Sequence, residues 1–264
     1  MSQLVRTDRE GPLLRITIDR AEKRNALSGE TLEAIRVAFR SLADDERVSL
    51  AILTASGNKA FAAGGDLREL QALRSAEAIE PFTRAARSAL DSVRQFPVPV
   101  VAALNGDALG GGSELAMACD LRLAAPHIRI GFVQGKLALS TAWGGGIDLM
   151  RLLGPARALE LLATGRLVAV REALSLGLIN AVAPETEADF NSFVRRWCEP
   201  CLAQPPQVMR AFKALALAER FGLPRPEREQ LEHAHFVANW LHDDHWRAAE
   251  VMLAGLGGQR AQGE

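Results

Sequence analysis

With 264 residues, the chain is long enough for one large domain, or for a core with a small helical extension. Its 31 lysines and arginines nearly balance its 32 aspartates and glutamates, which gives no indication of a nucleic-acid partner. No apolar stretch suits a bilayer span or a signal peptide, so we expect a cytoplasmic protein without a membrane partner.

The first part of the chain alternates between strand-like and helix-like segments. Short apolar runs predict strands over 13–18, 48–54, 98–104, 121–125 and 179–183. Apolar residues at helical spacing predict helices over 29–42, 66–73, 78–95, 147–153, 155–163 and 170–176. Ser28 is the expected N-cap of the first helix, because its hydroxyl can accept from a free N–H of the first turn.

Beyond residue 185 the pattern is entirely helical. We predict helices over 187–202, 205–221, 226–242 and 245–255. Strands alternating with helices, followed by helices alone, indicate an α/β core and a helical C-terminal module. We therefore predict a core over 1–185 and a helical region over 186–264.

Two short motifs contain residues that are common in redox or metal sites. Cys198 and Cys201 form a CxxC pair, but no second ligand pair and no thioredoxin-like strand accompanies it. The chain has three cysteines, an odd count that suits no disulfide framework. His242-Asp243-Asp244-His245 lies between two helical runs and is better explained as a polar turn. We predict neither a metal nor a cofactor.

Two glycine segments each lie between a strand-like and a helix-like run. The first is Gly64-Gly65, and the second is Gly110-Gly111-Gly112, which precedes Glu114 and an apolar run. Without a Cβ, glycine lets backbone N–H groups approach a ligand, and at a helix start these groups point toward negative charge. Either segment alone is compatible with a structural turn before a helix. Together they can each offer one N–H to a single carbonyl oxygen.

Four segments resemble the crotonase (enoyl-CoA hydratase/isomerase) superfamily. They cover residues 19–27, 60–67, 105–120 and 165–182 in the family's order, with Ala21 where the family usually has proline. The resemblance implies a spiral of ββα turns and an acyl-CoA thioester substrate. It also implies that the C-terminal helices form an oligomerisation region that builds homotrimers, often paired into hexamers.

The resemblance assigns roles at the reacting end of the substrate. The N–H groups of Gly65 and Gly111 would form an oxyanion hole, and Glu114 would be the first of the family's two carboxylates. Trp143 and Phe132, together with Leu137 and Leu139, would form the wall of the acyl pocket, although each could equally be an ordinary core residue.

Coenzyme A would enter as part of the substrate rather than as a cofactor. The resemblance places its adenine near Ala63 and Leu67, through backbone contacts. Arg24 and Lys213 are candidates for its phosphates, and for both the alternative is an ordinary surface charge.

The second family carboxylate, expected twenty positions after Glu114, is replaced by Gln134. Hydration of a double bond needs proton exchange, and an amide can orient water but cannot usefully exchange a proton. Decarboxylation of a 2-carboxyacyl thioester needs an oxyanion hole but no base, and Gln134 could bind the departing carboxylate or a water. The segment 132–145 also resembles the ethylmalonyl-CoA decarboxylase branch of the superfamily.

Decarboxylation of a small 2-carboxyacyl-CoA, of the ethylmalonyl-CoA or methylmalonyl-CoA type, is therefore our first expectation from sequence. Enoyl-CoA hydration or isomerisation with Glu114 alone is the second. The alternative from another class is a non-catalytic acyl-CoA-binding protein. The absence of the second carboxylate favours this alternative, whereas the presence of Gly65, Gly111 and Glu114 argues against it.

Overall fold

Two sheets lie at the centre of the molecule. The structure is a computed structural model that describes residues 4–187 and 189–260. In this part of the chain the strands are β1 (Val5–Glu10), β2 (Leu13–Ile18), β3 (Leu50–Ala55), β4 (Ala60–Ala62), β5 (Val100–Leu104), β6 (Asp107–Leu109), β7 (Leu121–Ala124), β8 (Arg129–Gly131), β9 (Val168–Ala169) and β10 (Ala181–Val182). One sheet has the order β1-β2-β3-β5-β7-β10, and the other has the order β4-β6-β8-β9. All neighbouring pairs are parallel except β1 with β2 and β8 with β9.

Helices surround the sheets and form the C-terminal part of the chain. They are α1 (Gly29–Ser41), α2 (Leu67–Leu70), α3 (Ala76–Arg94), α4 (Gly111–Ala118), α5 (Gly145–Leu153), α6 (Pro155–Thr164), α7 (Val170–Ser175), α8 (Phe190–Leu202), α9 (Pro206–Arg220), α10 (Arg225–Trp240) and α11 (Asp243–Arg260). Short 3₁₀ helices cover Ala21–Lys23 and Val133–Leu137. Within the described residues, no helix is both long and apolar enough to cross a membrane.

The chain advances as a spiral, because consecutive strands enter different sheets. β3 and β4, β5 and β6, and β7 and β8 each place one strand in the large sheet and the next in the small one. Helices α2 and α3 follow the first of these pairs and α4 follows the second. The α/β class and the ββα spiral expected from the sequence are confirmed.

The large sheet is covered on both faces. Along β3, Ala51 and Leu53 belong to the main core, whereas Leu50 and Ile52 belong to a second cluster with Val194 of α8. This burial on both faces explains why β3 and β5 have continuous apolar sequences rather than alternating ones. The predicted boundary after residue 185 follows the last strand closely, but α8 and α9 pack on the sheet and contribute to its core.

The predicted elements differ from the structure in three respects. β1 precedes the strand predicted as the first, and it shows no apolar pattern because it is an exposed edge strand. β4, β6, β8 and β9 have only two or three residues and are too short for a periodic signal. The helix predicted over 66–73 is wrong in length, since α2 ends at Leu70 and Ser75 caps a new helix by accepting from Ala78 N. Ser28 caps α1 as predicted, by accepting from Thr31 N.

Candidate active site

The two glycine segments lie side by side because the short strands before them are paired. β4 and β6 are parallel, with Ala62 opposite Ala108, so their carboxyl ends reach the same edge of the small sheet. A Cβ built on Gly64 would lie 3.5 Å from the Gly111 nitrogen, and Gly64 has a φ of +101°. The loops after β4 and β6 therefore lie side by side, and the oxyanion hole of Gly65 and Gly111 stays a prediction.

Helix α4 is anchored at its first turn and is buried along its whole length. The Ser113 hydroxyl lies 2.7 Å from the Ala108 carbonyl oxygen and 2.9 Å from that of Gly131, which ties the helix start to β6 and β8. Among the hydrogen bonds of the described residues, neither the Gly65 N–H nor the Gly111 N–H donates to an acceptor. Two N–H groups are thus left to bind an incoming oxygen, one of them at the positive end of a helix.

The Glu114 carboxylate is buried and accepts three hydrogen bonds. Its Oε2 accepts from Trp143 N at 2.9 Å and from Gly145 N at 3.0 Å. Its Oε1 accepts from Gln134 Nε2 at 3.0 Å. Burial raises the pKa of Glu114, while the N–H groups of Gly145 and Trp143 and the Gln134 amide oppose this shift because they stabilise the ionised form.

Gln134 contacts Glu114 with its nitrogen and leaves its oxygen free. Because ionised Glu114 can only accept, the amide nitrogen must face it. The Gln134 Oε1 atom is buried and has no hydrogen-bond partner within the described residues. A buried acceptor without a donor costs free energy unless a ligand or a water donates to it. Gln134 and Glu114 can therefore both accept hydrogen bonds from a molecule bound beside them.

Trp143 lies against the oxyanion glycines. A Cβ on Gly111 would be 2.2 Å from Trp143 Cζ3, and one on Gly65 would be 3.6 Å from Trp143 Cη2. Only a residue without a side chain at position 111 lets the indole take this place. Phe82 of α3 packs on the outer side of the indole, with ring centroids 6.2 Å apart. Trp143 is buried in the main core cluster beside the two glycines, and its role as a wall of the acyl pocket stays a prediction.

The other predicted pocket residues differ in their surroundings. Phe132 is buried within the main core cluster, which agrees with the core alternative considered for it. Leu137 and Leu139 are exposed at the surface.

Three of the four residues predicted to contact coenzyme A are accessible. Arg24 and Ala63 line one cavity of about 510 Å³, and Ala63 N donates to the Arg24 carbonyl at 3.1 Å. Lys59, Asp107, His127 and Arg129, which the sequence analysis did not single out, line the same cavity. Arg129 is paired with Asp107 at 2.6 Å, so the positive charge of the cavity comes from Arg24 and Lys59. Leu67 is exposed at the first position of α2.

The prediction for Lys213 is wrong. Its side chain is 1% exposed, and its ammonium contacts Asp120 with Nζ–Oδ distances of 2.5 and 2.6 Å. Burial lowers the pKa of Lys213, and the attraction of Asp120 opposes this shift. The physical reason is that α9 packs on the sheet, so Lys213 points into the protein rather than toward a phosphate in solvent.

Trp143 N and Gly145 N are the site groups that the sequence analysis missed. Both are backbone donors, which no side-chain pattern reveals. The run Gly144-Gly145-Gly146 is the signal that could have indicated them, because a Cβ on Gly145 would lie 2.5 Å from the Cα and Cβ of Glu114. Like the first two glycine segments, this third run indicates a place where the backbone comes close to the site.

The two motifs that contain common redox or metal-binding residues, the CxxC pair and the segment 242–245, lie on other elements than this site. Cys198 and Cys201 are free thiols on α8, and burial raises the pKa of Cys198 to about 12. His242 lies in the turn between α10 and α11, where its Nδ1 is 3.3 Å from Asp244 Oδ2. The described residues contain no group of three or more His, Cys, Asp or Glu side chains arranged to hold a metal ion.

Comparison with known proteins identifies a family that matches most of the chain. A family model described as enoyl-CoA hydratase/isomerase matches residues 8–251. Crotonyl-CoA hydratase of Syntrophomonas wolfei is 39% identical over 180 residues, which are 68% of this chain and 69% of that protein. Mouse mitochondrial methylglutaconyl-CoA hydratase is 36% identical over 198 residues, which are 74% of this chain and 63% of that protein.

Solved structures resemble nearly the whole chain. An enoyl-CoA hydratase from Bacillus anthracis has a TM-score of 0.88 at 30% identity, covering 96% of this chain and 97% of that one. An enoyl-CoA hydratase/carnithine racemase from Magnetospirillum magneticum also has a TM-score of 0.88, at 31% identity, covering 97% of this chain and 94% of that one.

Proposed function

Because the chain belongs to the enoyl-CoA hydratase/isomerase family, we propose that it adds water reversibly to the double bond of an enoyl-CoA thioester, with Glu114 as its one acid–base group. The unpartnered Oε1 of Gln134 beside the Glu114 carboxylate is the observation that carries this proposal. Both groups are acceptors, and a water molecule has the two O–H groups that they need. Water held between them is placed next to the oxyanion glycines.

The same observation weighs against the first expectation from sequence. A 2-carboxyacyl-CoA would bring a carboxylate, which has no hydrogen to donate, next to an ionised Glu114 and the Gln134 oxygen. The like charges would repel, and Gln134 Oε1 would remain unpaired. The curated relatives described above are named hydratases, and none of those names describes a decarboxylase. The comparisons therefore lend decarboxylation no support, and hydration replaces it as the preferred reaction.

In the hydration direction, Glu114 takes a proton from the bound water as the water oxygen attacks Cβ of the enoyl group. The electron pair of the double bond moves toward the thioester, whose oxygen gains negative charge. The N–H groups of Gly65 and Gly111 stabilise that oxygen, and one such donor is worth about 10²–10³ in rate. The protonated Glu114 then delivers the proton to Cα, so that all the atoms of one water enter the product and Glu114 is ionised again.

The remaining predicted site residues indicate where the other parts of the substrate would bind. Coenzyme A would contact Arg24, Ala63 and Leu67, and the basic cavity lined by Arg24 and Ala63 suits its phosphates. Crotonyl-CoA is named in the description of one relative, the crotonyl-CoA hydratase of Syntrophomonas wolfei. We therefore choose crotonyl-CoA as the probe substrate.

The test follows crotonyl-CoA by mass spectrometry in water labelled with oxygen-18. Hydration adds one labelled oxygen at C3, and Glu114→Gln abolishes turnover while acyl-CoA binding, measured by calorimetry, persists. Parallel reactions contain methylmalonyl-CoA or ethylmalonyl-CoA with a carbon-13 carboxyl group, and a 3-enoyl-CoA. Labelled CO₂ without hydration of crotonyl-CoA would overturn the proposal in favour of decarboxylation. Migration of the double bond without incorporation of oxygen would favour an isomerase, and binding with no reaction of any substrate would favour a non-catalytic acyl-CoA-binding protein.

A further inference from the structure

The segment that binds Glu114 has no regular structure of its own. Residues 141–144 lie between the 3₁₀ helix Val133–Leu137 and α5, outside any helix or strand. Trp143 N and Gly145 N nevertheless both reach the same carboxylate oxygen, at 2.9 and 3.0 Å. Gly145 is the first residue of α5, so the helix directs its N–H, whereas the direction of the Trp143 N–H must come from contacts on the other side of the segment.

Arg94, the last residue of α3, supplies such a contact. Its side chain is 5% exposed, and its Nη2 donates to the Trp143 carbonyl at 2.9 Å. Gly144 has a φ of +93°, and a Cβ there would lie 2.8 Å from Arg94 Nη2. The guanidinium thus lies directly beneath the turn whose opposite side binds Glu114.

The guanidinium is itself held in place by two carboxylates. Arg94 Nη1 is 2.7 Å from Asp91 Oδ1, and Arg94 Nε is 2.8 Å from Asp148 Oδ2 of α5. Asp148 Oδ1 accepts from Arg220 Nε of α9 at 3.0 Å, and Arg220 Nη1 donates to the Ala118 carbonyl at the end of α4. All three nitrogens of Arg94 are used, so it is a fixed group rather than a free cation.

We propose that Arg94 is a positioning residue, which holds the Trp143 carbonyl so that the N–H groups of Trp143 and Gly145 remain on the Glu114 carboxylate. It acts through the backbone and does not contact the substrate. The inference rests on the role proposed above for Glu114 as the acid–base group. Arginine suits the task because its rigid planar fork uses a different nitrogen for the carbonyl and for each of the two carboxylates, whereas the three donors of a lysine share one nitrogen.

Loss of Arg94 should change the proton affinity of Glu114 as well as the rate. The groups that face the Glu114 carboxylate are the N–H groups of Ala142, Trp143 and Gly145 and the Gln134 amide, and none of them carries a charge. When the N–H groups of Trp143 and Gly145 lose their alignment, the ionised form is less well stabilised, so the pKa of Glu114 rises further. Hydration needs the ionised form, so the acid limb of its pH profile should move to higher pH.

The experiment compares Arg94→Met and Arg94→Lys with Arg84→Ala, a control on the exposed face of the same helix. We expect both Arg94 variants to reduce kcat for crotonyl-CoA hydration about 10- to 100-fold with little change in KM, because a small misplacement of catalytic groups has effects of this size. Arg94→Lys keeps the positive charge next to Asp91 and Asp148, so it provides the readout if Arg94→Met does not fold. Arg84→Ala should behave as the wild type.

A second readout does not depend on turnover. Infrared spectra of protein with carbon-13-labelled glutamate carboxyl groups, assigned with Glu114→Gln, report the ionisation of Glu114 directly. We expect its titration to move to higher pH in folded Arg94→Met or Arg94→Lys. An unchanged titration in a folded variant would overturn the inference, as would a kcat equal to that of Arg84→Ala in an active hydratase. If the wild-type protein does not hydrate crotonyl-CoA, the proposed function fails, and the infrared titration still decides the role of Arg94.

Discussion

Gln134 differs from a glutamate in being unable to exchange a proton, although it fills nearly the same space. Its amide nitrogen is 3.0 Å from Glu114 Oε1, so a carboxylate in its place would lie next to Glu114. Two carboxylates at this distance cannot both ionise easily, and one of them would hold a proton for delivery to Cα.

We therefore predict that Gln134→Glu increases kcat for hydration of crotonyl-CoA, by up to about 10²–10⁴ for an added general acid. Gln134→Met, which keeps the size but neither donates nor accepts through nitrogen or oxygen, should reduce it below the wild type. Steady-state kinetics of the purified variants measures both. A Gln134→Glu variant slower than the wild type would contradict the view that the missing second carboxylate limits hydration.

The surroundings of Glu114 also predict how hydration depends on pH. Burial raises the pKa of Glu114, and the base must be ionised to accept a proton from water. Hydration should therefore fall as the pH drops through a value above the ordinary glutamate pKa of about 4.3. The pH profile of kcat/KM measures this limb, which should disappear together with activity in Glu114→Gln. A limb at or below the ordinary value would show that Glu114 is not the group that titrates.

At the level of elements, the site depends on how closely α4 approaches β4. A Cβ on Gly112 would lie 2.0 Å from the Ala62 carbonyl oxygen and 2.7 Å from its carbon. These are backbone atoms that cannot rotate away, so α4 would have to move. Since α4 carries both Gly111 and Glu114, its position sets the distance of both groups from Gly65 in the loop after β4.

We predict that Gly112→Ala lowers the free energy of unfolding by about 1–3 kcal/mol, which is typical of overpacking in a core. Gly135→Ala is the matched control, because the nearest atom to its Cβ would be 3.8 Å away. We expect it to leave the free energy unchanged, or to raise it by up to about 1 kcal/mol. Urea unfolding followed by circular dichroism measures both. Equal stability of the two variants would show that α4 shifts without cost.

At the level of the whole molecule, α10 and α11 expose large apolar side chains. Leu241 is 72% exposed and Trp246 is 49% exposed, and Phe236 and Trp240 are exposed beside them. None of the residues of α10 is buried within the chain. Trp240 contacts both Phe236 and Trp246, with ring centroids 5.6 and 5.7 Å apart. An exposed apolar cluster of this kind indicates a protein–protein interface. It supports the expectation from sequence that the helical region builds a homotrimer or hexamer.

We predict that sedimentation of the purified chain gives the mass of three or six copies. Leu241→Ser combined with Trp246→Ser should shift the distribution to smaller species, because the interface loses apolar contact area. Val37→Ser, a change of the same type at an exposed position on α1, should leave the mass unchanged. A wild-type protein that sediments as a monomer at micromolar concentration would contradict this prediction.

Local signals in the sequence predict most of the fold and part of the site. Apolar spacing and the Ser28 cap predict α1, because its hydrogen bonds join residues that are neighbours in the chain. The glycine segments predict that the loops after β4 and β6 lie side by side, because these two parallel strands end at the same edge of the small sheet. The short strands β4, β6 and β8 could not be predicted, since three residues do not show a period.

By itself, the sequence therefore determined the α/β class, the family resemblance, the two glycine segments, and the presence of Gln134 where the family has its second carboxylate. Only the tertiary structure decided what these residues bind. Glu114 takes its two backbone donors from 29 and 31 positions away, and Lys213 is paired with Asp120 across 93 positions. The free acceptor of Gln134 and the place of Arg94 beneath Trp143 likewise depend on how distant elements pack. Such contacts leave no periodic trace in the chain, because they are set by the packing of whole elements rather than by neighbouring residues.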